Sequence, residues 1–136
     1  MVNPVWSRIW KLHIPNKVKH FLWSASVNCL PTNVALSLRH VPVNTVCPIC
    51  GSQSESVLHI LFFCHIAQCC WLLSGLRIMN AFDLSLNEWL VQNMSLLSSE
   101  DAALFVVICW ELWNNRNLRV WKNRLRQPVH IVNFAG

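Results

Sequence analysis

The chain has 136 residues, enough for one domain with a sizeable core and short for two independent ones. Apolar residues make up 54% of it and charged residues 12%, about half the usual charged share of a soluble domain, and the formal net charge is +5. The longest apolar run, residues 102–110, falls well short of the ~20 residues that cross a bilayer. Pro4, Arg8 and Lys11 stand where a secretory signal needs its apolar stretch, so the expected location is cytosol or nucleus, with no membrane partner. Seven cysteines in that reducing setting argue against a disulfide framework and leave metal binding or plain burial.

Helical periodicity dominates, and the expected fold class is mainly α: a small helical domain with a Cys-rich knuckle, followed by a long C-terminal helix. A first amphipathic helix opens near Pro15, which suits a first helical position, and stops before Pro31, with Val18, Phe21, Leu22, Ala25 and Cys29 on its apolar face. Thr32 can cap a second helix running to about Arg39, and residues 42–45 form a link. Residues 56–73 read as helix again, with Gly75 as punctuation. A further helix is expected over residues 85–97, and a long one from Ser99 to about Arg126, with Glu100 and Asp101 complementing its dipole. On that last helix Val106, Trp110, Trp113 and Trp121 share one arc, and Arg116, Arg119, Lys122 and Arg126 share another.

The segment CPICGSQSESVLHILFFC, from Cys47 to Cys64, carries the clearest chemistry. Cysteines two residues apart direct both thiolates into one pocket, and a downstream His and Cys complete the tetrahedron that Zn²⁺ accepts in structural sites. The four candidate ligands, Cys47, Cys50, His59 and Cys64, leave no position for water, so the metal would brace the fold and do no catalysis. On an ideal helix His59 and Cys64 point about 140° apart, so the turn must loosen or the pitch must change at Cys64, and His65 stands as a substitute ligand. The competing reading is burial, since free cysteine is among the most buried residue types. Cys69 and Cys70 are spare thiols, while Cys29 and Cys109 read as core.

Charge is unevenly spread. Arg8, Lys11, Lys17, Lys19 and Arg39 precede the first acidic residue, and Arg116, Arg119, Lys122, Arg124 and Arg126 form a second acid-free cluster. Such clusters suit an anionic partner, nucleic acid first, with Lys11, Lys17 and Lys19 on phosphates and exposed members of Trp6, Trp10 and Trp23 stacking on bases. Burial is the competing reading for any one of these tryptophans.

WKLHIPNKVKHFLW at residues 10–23, LPT at residues 30–32, CPICG from Cys47, and ESVLHILFFC ending at Cys64 with Trp71 after it together resemble a known family. It is the zinc-binding domain that follows the reverse transcriptase in plant LINE-like (non-LTR) retroelement polyproteins. The resemblance implies one structural Zn²⁺ on Cys47, Cys50, His59 and Cys64, although His65 stands where the family often has proline. It further implies a zinc-binding domain over residues 1–75 and a helical segment over residues 76–136. In the latter, CWELWNNRN at residues 109–117 is similar to the linker preceding an RNase H-like domain.

No enzyme is expected. Polymerase and RNase H-like chemistry need converging carboxylates around two metals, whereas Glu55, Asp83, Glu88, Glu100, Asp101 and Glu111 are scattered, and no glycine-rich phosphate loop or small-molecule site is evident. Three functions compete: a nucleic-acid-binding module for RNA or DNA, a zinc-braced module packing against polymerase or RNase H-like domains, and an inactive retroelement remnant.

Overall fold

The computed structural model describes residues 4–135, with the side chains of residues 4–6 outside that description. The protein is mainly α-helical. Its helices are α1 (Pro4–Lys11), α2 (Asn16–Ser26), α3 (Asn33–Leu38), α4 (His65–Ser74), α5 (Leu86–Leu96), α6 (Ser99–Lys122) and α7 (Pro128–Ala135), with a π-helical turn over His59–Phe63. Among the described residues the only β-pairing is an isolated antiparallel bridge between Val46 and Ser54.

The helix ends are written in short local interactions. The Thr32 hydroxyl accepts from the Ala35 amide and Ser98 from the Asp101 amide. Ser85 and Glu88 form a reciprocal capping box at the start of α5. Asparagine and histidine in left-handed conformation close the opposite ends, because Asn28 (φ 64°), His40 (φ 64°) and Asn123 (φ 53°) turn the chain out of α2, α3 and α6. At Asn28 the Cys29 amide reaches back to the Ser24 carbonyl at 2.8 Å, so α2 ends well before Pro31. Cys29, expected in the core on the assumption of a longer helix, is consequently exposed, and Leu30 is buried. Likewise α6 stops at Lys122 and not near Arg126. Two helices were not anticipated: α1, and α7, which opens on Pro128, a residue that suits a first helical position.

One core runs through the chain. Trp71 of α4 stacks on Phe105 of α6 with centroids 5.4 Å apart, and Trp89 of α5 meets both Phe105 and Phe62 edge-on. Both buried indoles keep a polar partner, Trp71 donating to the Leu61 carbonyl and Trp89 to the Met79 carbonyl. The buried set extends from Ile9 to Ile131, so helices after residue 76 share the core of those before it. The long helix α6 packs against α2, the π-turn and α7. Arg8 of α1 ties down the end of α5, donating to the Leu97 carbonyl at 2.6 Å and to that of Met94.

A buried ion pair joins residues 61 positions apart in sequence. The Arg116 guanidinium meets the Glu55 carboxylate with two parallel 2.7 Å hydrogen bonds, and Glu55 is fully buried. One Glu55 oxygen also accepts from the Asn33 amide, the Arg116 guanidinium reaches the Pro31 carbonyl, and Trp113 lies against the guanidinium. Removing one partner leaves an uncompensated buried charge. Arg116→Ala should therefore lose about 3–5 kcal/mol in urea unfolding, while the apolar pair Glu55→Leu with Arg116→Met should keep most of the stability. A double variant no more stable than the single one would contradict this.

Candidate metal centre

The first two ligands sit on a knuckle. The Cys47 amide donates to the Gln53 carbonyl and the Glu55 amide to the Thr45 carbonyl, both at 2.7 Å, closing a narrow hairpin around the Val46–Ser54 bridge. At its tip Gly51 has φ +69° and donates to the Cys47 carbonyl, a conformation a side chain would strain. The Ile49 amide points at Cys47 Sγ at 3.4 Å, and the Ser52 hydroxyl points at Cys50 Sγ at 3.5 Å. Amide and hydroxyl donors around sulfur favour the thiolate, which is the ligand form.

The other two ligands come from the break between the π-turn and α4. The helix expected over residues 56–73 is interrupted: the Cys64 amide donates to the His59 carbonyl five residues back at 2.7 Å, and Cys64 itself is extended (φ −61°, ψ 142°). This widening resolves the 140° misdirection of an ideal helix. At the break two side chains of α4 donate to backbone carbonyls, the buried Trp71 indole to Leu61 and the Gln68 amide to Phe62. His65 is exposed and stands outside the cluster, so Cys64 is the fourth donor.

The donor atoms of Cys47, Cys50, His59 and Cys64 all lie within 4.8 Å of one another, and Cys50 Sγ is 3.4 Å from His59 Nε2. With Zn–S near 2.3 Å and Zn–N near 2.0 Å, a tetrahedral S···N edge is about 3.5 Å. Three soft sulfurs and one imidazole suit one Zn²⁺ in a closed structural site. The proton balance agrees. A hydrogen bond from Cys64 lowers Cys47 to about 3, the same contact and burial raise Cys64, and the Cys47 thiolate raises His59. At Cys50, burial is outweighed by hydrogen bonds, led by the Ser52 hydroxyl, and the thiol is lowered. The lowering is confined to Cys47 and Cys50, since burial pushes the core thiol Cys70 up to about 12 and raises Cys109, as it helps to raise Cys64. Among the described residues this is the group of three or more His, Cys, Asp or Glu side chains close enough to hold a metal.

The basic and aromatic candidates are not gathered there. Lys11 is exposed, and exposed Lys17 has its ammonium 4.7 Å from the centre of the Trp110 ring. Lys19 is buried and donates to the Trp10 carbonyl at 2.7 Å, so its charge is committed internally. Trp10 and Trp23 are 45% and 50% exposed, and the side chain of Trp6 lies outside the described residues. In the second cluster Arg116 is buried against Glu55, Arg126 pairs with Glu111 at 2.6 Å, and Arg119 donates to the Pro48 carbonyl. Wheel geometry missed where α6 leaves the core: Trp113 is buried, but Trp121 on the same arc is 80% exposed, beside exposed Lys122 and Arg124.

Comparison with known proteins gives two matches. The family described as zinc-binding in reverse transcriptase matches residues 1–71. An Arabidopsis thaliana protein named as a ribonuclease H protein is 33% identical over 132 residues, covering 91% of this chain but 21% of the relative. The chain thus spans about a fifth of that relative's length. No solved structure matches.

Elemental analysis of protein purified without chelator should find one zinc per chain, absent from Cys47→Ser and His59→Ala and retained by His65→Ala and Cys70→Ser. Structural zinc contributes on the order of 10–16 kcal/mol of apparent binding energy, so the two ligand variants should also unfold. A folded, zinc-free wild type would reduce these cysteines to core.

Proposed function

Because the chain belongs to the zinc-binding family of reverse transcriptases, we propose that it is a non-catalytic, retroelement-derived zinc module that binds single-stranded nucleic acid. The observation that carries this reading is the face of α6 left outside the core. Lys17 lies over Trp110, and Trp121 follows eleven residues later, about 20° round the helix and about 16 Å along it. Trp121 is 80% exposed, and Lys122 and Arg124 beside it have no carboxylate partner among the described residues. Trp110 is half-buried against the core, whereas the exposed Trp121 ring beside two cations suits a stacked base and its phosphates.

Lys11, Lys17, Trp10 and Trp23 on α1 and α2 extend the same chemistry, with Trp10 edge-on to exposed His20 at 5.8 Å. Lys19 drops out, because a phosphate would have to displace its carbonyl bond. The acid inventory supports a non-catalytic role. Glu55 and Glu111 are bound by arginines and Glu88 caps α5, leaving Asp83, Glu100 and Asp101 for any two-metal chemistry.

Anisotropy titration of zinc-loaded protein against single-stranded RNA should show log affinity falling linearly with log salt. Lys122→Gln should reduce that slope by about 0.7, and Trp121→Ala should cost roughly 1–3 kcal/mol at any salt. Absence of binding at low salt would reject the proposal in favour of a zinc-braced module that packs on polymerase or RNase H-like domains.

A further inference from the structure

The four zinc ligands rest on two separate supports. His59 and Cys64 belong to the π-turn, which is anchored in the core by Ile60, Leu61 and Phe62. Cys47 and Cys50 belong to the knuckle, a hairpin closed by its own backbone hydrogen bonds around the Val46–Ser54 bridge, with Cys47 buried and residues 51–54 exposed. A tetrahedral site tolerates only small changes in the distance between these supports, so something must hold the knuckle against the π-turn before a metal can use both.

The long helix α6 touches both supports. It packs on the π-turn, and its second half sends two arginines to the knuckle. Arg116 fixes Glu55, which follows Ser54 on the returning side of the hairpin. Arg119 donates from Nε to the carbonyl of Pro48, the residue immediately after Cys47, at 3.2 Å. The other end of its guanidinium bonds Asn123 Oδ1, and Asn123 is the left-handed residue that ends α6. The guanidinium is therefore oriented by its own helix and aimed at the Cys-Pro-Ile-Cys backbone. A third outside bond, from Asn33 Nδ2 to the Val46 carbonyl at 2.9 Å, comes from α3.

We propose that Arg119 is a positioning residue of the zinc site: α6 acts as a rigid spacer between the two ligand pairs, and Arg119 sets the knuckle at the distance the metal requires. Zinc affinity is then a property of the chain through at least residue 119, although the zinc-binding family match ends at residue 71. The linkage is reciprocal, so bound metal in turn holds the second half of α6 in place. This inference rests on the Cys47, Cys50, His59, Cys64 centre and is independent of nucleic-acid binding.

The test uses the full chain. Arg119→Met keeps the aliphatic stem and removes every donor, Arg119→Lys restores one donor, and Arg124→Ala removes a neighbouring cation without a partner. Zinc affinity is measured by chelator competition, coordination by the visible spectrum of the Co²⁺-substituted protein, and folding by helical circular dichroism. Arg119→Met is expected to weaken zinc by about 10-fold or more with helicity retained, to alter the Co²⁺ ligand-field bands, and to speed amide exchange in the knuckle. Arg119→Lys should recover part of the affinity and Arg124→Ala none of the loss, remaining like wild type. Zinc affinity and Co²⁺ spectrum of Arg119→Met within twofold of wild type and unshifted, even alongside a lowered melting temperature, would make the arginine a stability contact only and overturn the proposal. If instead neither wild type nor variant binds zinc, it is the metal centre itself that fails.

Discussion

The Glu55–Arg116 ion pair is the interaction on which the remaining structure depends. A fully buried carboxylate is costly unless its partner has matching geometry and its remaining lone pairs are used. Here a planar guanidinium supplies two parallel bonds, and the Asn33 amide, one of the unsatisfied donors at the start of α3, supplies a third. Arg116 then reaches the Pro31 carbonyl, so one charge pair ties the α2–α3 connection, the returning side of the knuckle and the middle of α6. Lysine would carry the same charge but could not reproduce the fork, which makes the residue type as specific as the charge. Such a pair contributes less to net stability than apolar packing would, yet it tolerates only one register of α6 against the knuckle.

Register matters because the metal ligands are drawn from elements with different mechanical character. The π-turn has side chains of α4 donating to its Leu61 and Phe62 carbonyls, so surrounding groups compensate for part of the interrupted ladder. Its reward is the rotation of Cys64 toward His59 Nε2 and the knuckle. The knuckle has a smaller apolar anchorage, with Cys47 in the core, Ile49 and Cys50 half-buried against it, and residues 51–54 exposed. Ligand preorganisation is thus asymmetric, and the helices beyond the ligand segment correct it.

Much of this was legible in residue order. Ser85 with Glu88, Thr32 before a short apolar run, and glycine after Ser74 are local signals, and the helices they mark stand close to where they were placed. The ligand set was legible too, because spacing alone encodes a knuckle and the 140° conflict already demanded a break near Cys64. What was illegible depends on partners far away in sequence. Nothing local distinguishes Arg116 from Lys122, though one is buried against a residue 61 positions earlier and the other faces solvent. Cys29 failed for a different reason: asparagine at position 28 tolerates left-handed conformation without requiring it, so an early helix stop there is permitted by sequence and decided by packing.

The fate of the cations bears on what the surface can do. Arg8, Lys19 and Arg119 spend their donors on backbone carbonyls, while Arg116 and Arg126 spend theirs on carboxylates. The first group loses freedom to move but keeps its charge, because a carbonyl dipole does not neutralise a full positive charge. Only the second group is cancelled. The positive field therefore survives the internal use of the arginines, and its exposed carriers are Lys11, Lys17, Arg39, Arg77, Lys122 and Arg124. On α6 itself the acids Glu100 and Asp101 sit at the N-terminal end, about 30 Å from Lys122, beyond the Debye length of ~8 Å at physiological salt. The C-terminal end is electrostatically independent of them. On the proposed surface a nucleotide would meet both features of that end, its neutral base against the exposed Trp121 ring and its phosphate beside Lys122 and Arg124.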